Sequence, residues 1–129
     1  MEVIVLAGGL GTRLQSVVAD RPKPLALVGQ RPFLWYLLQD LSRQNVSRVV
    51  ISTGYKKEMF REQISEDDFD FEIEYSEENE ALGTGGAVRL ALEKTQSKDV
   101  LLCNGDTLYR INLDEYLQFH RAHKSELSI

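Results

Sequence analysis

Short apolar runs alternate along the chain with segments of helical periodicity. The runs at 3–6, 49–51 and 100–103 contain almost no polar residue, as is typical of parallel strands buried on both faces. Between Phe71 and Tyr75, apolar and acidic residues alternate, which predicts a strand with one exposed face. The pattern therefore predicts four strands in these segments.

Leucines at spacings of three and four predict a helix that begins near Pro32 and carries its apolar face on Leu34, Leu37, Leu38 and Leu41. Residues 56–65 and 84–95 are two further predicted helices, and Asn112 is the predicted N-cap of a last one. Because strands and helices alternate, we expect an α/β fold with a mostly parallel sheet and helices on both faces.

The whole chain, 1–129, is expected to form part of a single domain. Residues 127–129 resemble the beginning of another strand, so we expect the chain to be truncated at its C-terminus relative to a longer protein. An interrupted sheet of this kind leaves one strand edge open.

Composition narrows the function classes without selecting one. The 15 basic and 20 acidic side chains give a formal net charge of −5, which argues against a nucleic-acid partner. Cys103 is the only cysteine, so a disulfide framework is excluded and a small core residue is expected there. We expect no signal peptide, no membrane span and a cytoplasmic location.

Glycines gather where the first predicted strand ends, at Gly8, Gly9 and Gly11. Glycines at this point allow backbone N–H groups to approach phosphate oxygens, and Arg13 and Lys23 add positive charge. The spacing matches neither a P-loop, which needs a lysine directly after its last glycine, nor a dinucleotide-binding turn, which needs a third glycine. A tight strand-to-helix turn without a ligand is the alternative.

The ordered set LAGGLGTRL (6–14), RPKPL (21–25), GTGGA (83–87) and NGD (104–106) resembles the signature of the sugar-phosphate nucleotidyltransferases. The likeness runs along essentially the whole chain. It implies a Rossmann-like fold of the nucleotide-diphospho-sugar transferase type. It also implies transfer of a nucleoside monophosphate from a nucleoside triphosphate (NTP) to a sugar 1-phosphate, with release of pyrophosphate.

The resemblance also assigns roles to residues. Arg13, Lys23 and Asp106 are the expected catalytic residues, and Asp106 is the expected Mg²⁺ ligand, since Mg²⁺ prefers oxygen ligands. An ordinary turn at 104–106 and solvated charges at Glu78 and Glu80 are the alternatives. The expected nucleotide-binding residues are Leu6, Ala7, Gly8, Gly9, Gly11, Thr12, Arg13, Lys23, Glu78, Gly83 and Thr84.

Residues 80–88 are most similar to enzymes that make GDP-D-glycero-D-manno-heptose from GTP and heptose 1-phosphate. Mannose-1-phosphate guanylyltransferases and N-acetylmuramate 1-phosphate uridylyltransferases are the alternative subfamilies. A non-catalytic nucleotide-binding module and a structural subunit are alternative classes, and a homo-oligomer is left open. His120 and His123 lack an evident third ligand, so we expect surface or partly packed roles for them rather than a metal site.

Overall fold

The computed structural model describes residues 1–9, 21–54 and 56–129. These residues form six strands, four α-helices and two 3₁₀ turns. The strands are β1 (Glu2–Leu6), β2 (Leu27–Val28), β3 (Arg31–Pro32), β4 (Arg48–Thr53), β5 (Glu72–Glu77) and β6 (Val100–Asn104). The helices are α1 (Phe33–Ser42), α2 (Glu58–Gln63), α3 (Gly83–Leu92) and α4 (Leu113–Ala122), and the 3₁₀ turns are Lys23–Leu25 and Glu66–Asp68.

Four of the strands form a parallel sheet in the order β5-β4-β1-β6. Each residue of β1 has a partner on both sides, so that Val3 lies between Val49 and Leu101. The apolar runs of β1 and β4 are buried because both strands have helices above and below them. The predicted parallel α/β sheet is confirmed.

Helices cover both faces of the sheet. The leucines of α1 pack on one face against Val3, Val5 and their neighbours, and Leu113 at the start of α4 joins the same cluster. Ala91 of α3 packs on the opposite face, against Ile4 and Val50. The leucine spacing of α1 therefore corresponds to its buried side, as expected of an amphipathic helix.

The strand order reverses direction between β1 and β6. From β1 the chain continues outward to β4 and β5, and α3 then returns it to the other side of β1, where β6 pairs. In open α/β sheets, ligands bind beyond the carboxyl ends of the strands at such a switch point. The topology thus predicts that a ligand site, if present, is formed by the segments that follow β1 and β6.

An ion network holds the opposite, amino-terminal edge of the sheet. Glu2 accepts hydrogen bonds from the backbone N–H groups of Gln96 and Ser97, each at 2.7 Å, so it fixes the segment after α3. Arg48 lies 3.7 Å from the other oxygen of Glu2 and 2.9 Å from Glu72. The Glu2 side chain is only 7% exposed, which makes these contacts structural rather than solvent-facing.

Some local predictions differ from the structure. Residues 127–129 form no strand, because without a partner strand the segment has no ladder to join. The β2–β3 ribbon was not predicted, since strands of two residues show no periodicity. No helix in the described part of the chain is both long and apolar enough to cross a bilayer.

Candidate functional site at the carboxyl edge of the sheet

The segments after β1 and β6 are joined directly. The Gly105 N–H donates to the Leu6 carbonyl at 2.8 Å, and the Ala7 N–H donates to Ser52 of β4 at the same distance. A Cβ at Gly105 would lie 3.0 Å from the Leu6 carbonyl oxygen and 3.3 Å from the Ala7 Cβ. Only glycine fits here without displacement, so the turn containing Asp106 packs against the start of the glycine-rich segment.

Gly8 is enclosed by the ends of β4 and β5. A Cβ on Gly8 would lie 2.9 Å from Oε1 of Glu78 and 3.4 Å from the Gly54 backbone nitrogen. A Cβ on Gly54 would in turn lie 3.2 Å from the Gly8 carbonyl oxygen. Gly9 is exposed, and a Cβ there would meet nothing within 4 Å. Gly8 is thus closely surrounded, so that a larger residue there would have to displace the Glu78 carboxylate, whereas Gly9 faces open space above the sheet edge.

Lys23 and Asp106 form an ion pair across this edge. The Lys23 Nζ donates to Oδ2 of Asp106, and the Thr107 hydroxyl donates to Oδ1 at 3.1 Å. Lys23 begins a 3₁₀ turn whose next two residues, Pro24 and Leu25, are buried. The turn is anchored in the core, and its lysine reaches the end of β6.

The charge state of Asp106 follows from this contact. The hydrogen bond from Lys23 keeps the pKa of the Asp106 carboxyl below its ordinary value, against the opposite effect of partial burial. The carboxylate is therefore ionised at neutral pH, and a third of its side-chain surface is exposed (33%). An ionised, accessible carboxylate can bind a hard cation.

Glu78 fixes the loop that leads into α3. Its backbone N–H donates to Thr53 at 2.8 Å, and its Oε2 accepts from the Leu82 N–H at 3.1 Å. Gly83 follows with a φ of +68°, a conformation that residues with a side chain rarely adopt. Thr84 is exposed in the first turn of the helix. Glu78 is thus half-buried and holds the loop through one hydrogen bond, whereas Glu80 is exposed.

The structure brings together Leu6, Ala7, Gly8, Gly9, Lys23, Glu78 and Asp106 at one edge of the sheet. Gly83 and Thr84 follow at the start of α3. Gly11, Thr12 and Arg13 lie outside the described residues. Gly54 and Thr107 also belong to the site, and sequence reasoning missed them. The "TG" after the apolar run of β4 was the available signal for Gly54.

A metal ion at this edge would depend on few protein ligands. The described residues contain no group of three or more His, Cys, Asp or Glu side chains arranged to hold a metal. A single carboxylate nevertheless suits Mg²⁺, which usually keeps several waters and shares its coordination with substrate phosphates. Asp106 therefore fits such an ion, and it would do so in concert with a bound ligand.

The two histidines and the cysteine lie elsewhere. His120 on α4 is hydrogen-bonded to the Ser128 hydroxyl at 2.9 Å, and its ring approaches Asp99 at 3.8 Å. His123 contacts the ring of Phe119, with centroids 4.1 Å apart. Cys103 is half-buried and packs against the core, and the burial of its thiol raises the pKa to about 12. The expectation of packed and surface roles agrees with these contacts.

The sheet is an open parallel one, with glycines at its switch point and a lysine–aspartate ion pair beside them, and ligands of open α/β proteins bind at such an edge. Residues 2–129 match the family model described as "Nucleotidyl transferase". The chain belongs to this nucleotidyl transferase family.

Curated relatives include two D-glycero-alpha-D-manno-heptose 1-phosphate guanylyltransferases. That of Aneurinibacillus thermoaerophilus is 43% identical over 129 residues, which are 100% of this chain and 56% of the relative. That of Campylobacter jejuni subsp. jejuni is 39% identical over 115 residues, which are 89% of this chain and 52% of the relative. The chain thus spans about half the length of these curated relatives.

Solved structures also match this chain over about half of their length. HddC from Yersinia pseudotuberculosis superposes with a TM-score of 0.83 at 35% identity, covering 92% of this chain and 53% of that one. The same protein complexed with GMP-PN matches equally well. The fold expected from the resemblance, a nucleotidyltransferase α/β sheet, is confirmed.

Proposed function

We propose that this chain provides the nucleotide-binding part of a sugar-1-phosphate guanylyltransferase. The enzyme transfers GMP from GTP to D-glycero-α-D-manno-heptose 1-phosphate and releases pyrophosphate. The observation that carries the proposal is the Lys23–Asp106 ion pair beside the end of β1, where the Gly105 N–H donates to Leu6 two residues before Gly8. The identity of 43% to a heptose 1-phosphate guanylyltransferase supports this choice of substrates.

The bond changes determine what the protein must supply. An oxygen of the sugar 1-phosphate attacks the α-phosphorus of GTP, the bond from that phosphorus to the bridging oxygen breaks, and pyrophosphate leaves with the electron pair. The attacking phosphate is already ionised near neutral pH, so no general base is needed. Catalysis then rests on positioning and on neutralising charge.

The triphosphate would bind along the glycine-rich edge. The exposed backbone at Gly9 offers N–H groups to phosphate oxygens, and Lys23 supplies a point charge close to them. The resemblance gives Gly11, Thr12 and Arg13 the same task for the leaving pyrophosphate. Asp106 would hold Mg²⁺, which when bound neutralises and polarises the α-phosphate.

The nucleoside would lie against the loop between β5 and α3. Gly83 and Thr84 are exposed there and directly follow Leu82, whose N–H donates to the carboxylate of Glu78. A carboxylate can accept from the N1–H and the exocyclic amine of guanine together. Because uracil also presents an N–H, the choice of guanine rests on the relatives rather than on Glu78 alone.

Mannose 1-phosphate is the second candidate acceptor. A mannose-1-phosphate guanylyltransferase of Mycobacterium tuberculosis is 31% identical to this chain. The match covers 100% of this chain and 36% of that relative. Both candidates share the nucleotide and the chemistry, so they differ only in the sugar. A panel of acceptors separates them.

The test is pyrophosphate release by the full-length protein with five NTPs and three sugar 1-phosphates, those of heptose, mannose and N-acetylmuramate. We expect the highest kcat/KM with GTP and heptose 1-phosphate. A preference for UTP would contradict the guanylyltransferase proposal, and a preference for mannose 1-phosphate would favour the second candidate. Absence of turnover with every pair would contradict an enzymatic role.

Substitution of the charged residues tests the site itself. Lys23→Ala and Arg13→Ala should each lower kcat by about 10²-fold or more, because each removes charge from the developing pyrophosphate. Lys94→Ala is the matched control, since Lys94 pairs with Glu74, away from the proposed phosphate site. Circular dichroism of each variant checks the fold. Near-normal turnover in both site variants would contradict the assignment.

A further inference from the structure

Lys23 and Asp106 form an ion pair, although under the proposed function each of them binds a different ligand. Lys23 is assigned to phosphate oxygens and Asp106 to the metal ion. In the structure, each instead neutralises the other, and the Thr107 hydroxyl donates to the second carboxylate oxygen of Asp106. Both oxygens of the only carboxylate assigned to the metal are therefore engaged within the protein.

The pair is built by the fold and not by chance proximity of two long side chains. Lys23 and Asp106 are 83 residues apart in sequence. The buried Pro24 and Leu25 hold the turn that carries Lys23, and Gly105 is held against Leu6 by a backbone hydrogen bond of 2.8 Å. The backbone that carries each partner is therefore anchored in the fold.

A cation cannot share Asp106 with Lys23 without cost. An ammonium group and a divalent ion beside one carboxylate repel each other, and the carboxylate can compensate only part of the combined charge. A bound triphosphate changes this balance, because its oxygens offer Lys23 a partner with more negative charge than Asp106 carries. Release of Lys23 would then free Oδ2 for the metal.

We propose that Lys23 competes with the metal ion for Asp106, so that divalent cations bind this site weakly until a nucleoside triphosphate draws the lysine away. This inference rests on the proposed function, because it assumes that Asp106 is the metal ligand. It goes beyond that function by giving Lys23 a second role: besides binding phosphate, Lys23 opposes binding of the metal ion when no nucleotide is bound. Lys23 lowers affinity for the metal alone, and it favours the metal–nucleotide complex.

The test uses Mn²⁺ alone, without nucleotide or sugar. Free Mn²⁺ is measured by electron paramagnetic resonance in titrations of the full-length protein and its variants. We expect Lys23→Gln to bind Mn²⁺ about two- to fivefold more tightly than wild type, the range that corresponds to a partly exposed ion pair. The side chains of Lys23 and Asp106 are 39% and 33% exposed, which places the pair in that range.

Two controls test whether a gain in Mn²⁺ affinity comes from the loss of the Lys23–Asp106 ion pair. Lys94→Gln changes the net charge by the same amount at a distant ion pair, so it should leave Mn²⁺ affinity unchanged. In an Asp106→Asn background, the Lys23→Gln change should give no gain. Equal or weaker Mn²⁺ binding by Lys23→Gln would overturn the inference, and so would an equal gain in Lys94→Gln or a gain that persists without Asp106.

A second measurement follows the pair while nucleotide binds. The ¹³Cγ signal of Asp106, identified by its loss in Asp106→Asn, should shift when GTP is added in the presence of a chelator. An unchanged signal at saturating GTP would contradict the release of Lys23. Failure of GTP to bind at all would instead contradict the proposed function, and the comparison with Mn²⁺ alone would still decide whether Lys23 competes for Asp106.

Discussion

At the scale of single residues, the glycines of this site differ in what surrounds them. The sequence suggested that Gly8 and Gly9 leave room for phosphate. The structure shows that Gly8 is closely surrounded by Glu78 and Gly54, whereas Gly9 has open space. Gly105 was expected only as part of a turn, and it proves to be the contact between the ends of β1 and β6.

Gly105→Ala should therefore damage the fold at the site. The added Cβ would lie 3.0 Å from the Leu6 carbonyl oxygen and 3.2 Å from a methyl group of Val5, both held in the sheet. We expect a loss of about 1–3 kcal/mol in the free energy of unfolding, as for other overpacked sites. Denaturation by urea measures it.

Gly9→Ala is the matched control for this prediction. Its Cβ would meet nothing within 4 Å, so its stability should stay close to that of wild type. Equal stability of wild type and Gly105→Ala would show that the two strand ends are not in the contact described.

Lys23 and Asp106 were both expected at the site from the RPKP and NGD segments and the resemblance they carry, and the structure places the two side chains together. Their roles in catalysis stay predictions. That the two side chains would form an ion pair could not be derived from the sequence. The residues are 83 positions apart, so their distance depends on how the turn that carries Lys23 packs against the sheet. The placement of Arg13 stays a prediction, since it lies outside the described residues.

At the scale of elements, continuous apolar runs predicted β1, β4 and β6, and leucine spacing predicted α1. The signals of β1, β4 and α1 correspond to buried residues, whereas β6 was expected to be buried and is a partly exposed edge strand, because no further strand or helix covers it among the described residues. The order of the strands was not predicted, since parallel pairing joins residues far apart in sequence and leaves no local pattern. The β2–β3 ribbon has no such pattern either.

The contacts of Glu2 at the amino-terminal edge of the sheet predict how stability depends on pH. Burial alone would raise the pKa of Glu2, but the backbone N–H groups of Ser97 and Gln96 and the charge of Arg48 lower it overall. Because the pKa is lower in the folded state, ionised Glu2 contributes stability above its ordinary pKa of 4.5. That contribution is lost as the pH falls through the folded value.

Glu2→Gln should therefore lower the free energy of unfolding by about 1–3 kcal/mol at pH 7, the range for hydrogen bonds to charged groups. The difference from wild type should shrink as the pH falls below 4.5. Urea denaturation across this range measures both. Glu72→Gln is the control, because Glu72 pairs with the same arginine but is 60% exposed, so its effect should be small. A deficit that does not change with pH would contradict the role given to the charge.

At the scale of the whole molecule, the two edges of the sheet differ in character. The β5 edge carries Glu72, Glu74 and Glu77, and charges of this kind discourage pairing with another chain. The β6 edge is apolar, and Leu102 is 46% exposed. The chain spans about half the length of its curated relatives, so a family member of full length contains as much sequence again that could cover such an edge.

Because β6 ends the described sheet with an apolar and partly exposed strand, the 129-residue chain should self-associate. We expect its apparent mass in light scattering to rise with concentration, and Leu102→Lys to suppress that rise. Leu27→Lys is the control, because Leu27 is 56% exposed on the β2–β3 ribbon instead of the β6 edge. A stable monomer at high concentration, or equal suppression by both substitutions, would contradict self-association through β6.

The central claim is that the ends of β1 and β6 hold a metal–nucleoside triphosphate complex. The most direct measurement is paramagnetic broadening of backbone amide signals by Mn²⁺ with GTP in the full-length protein. Our account predicts that Gly8, Gly9 and Gly105 broaden first, while Gln96 and Ser97 at the opposite edge of the sheet are spared. Broadening centred on that opposite edge, or no selective broadening at saturating GTP, would contradict it.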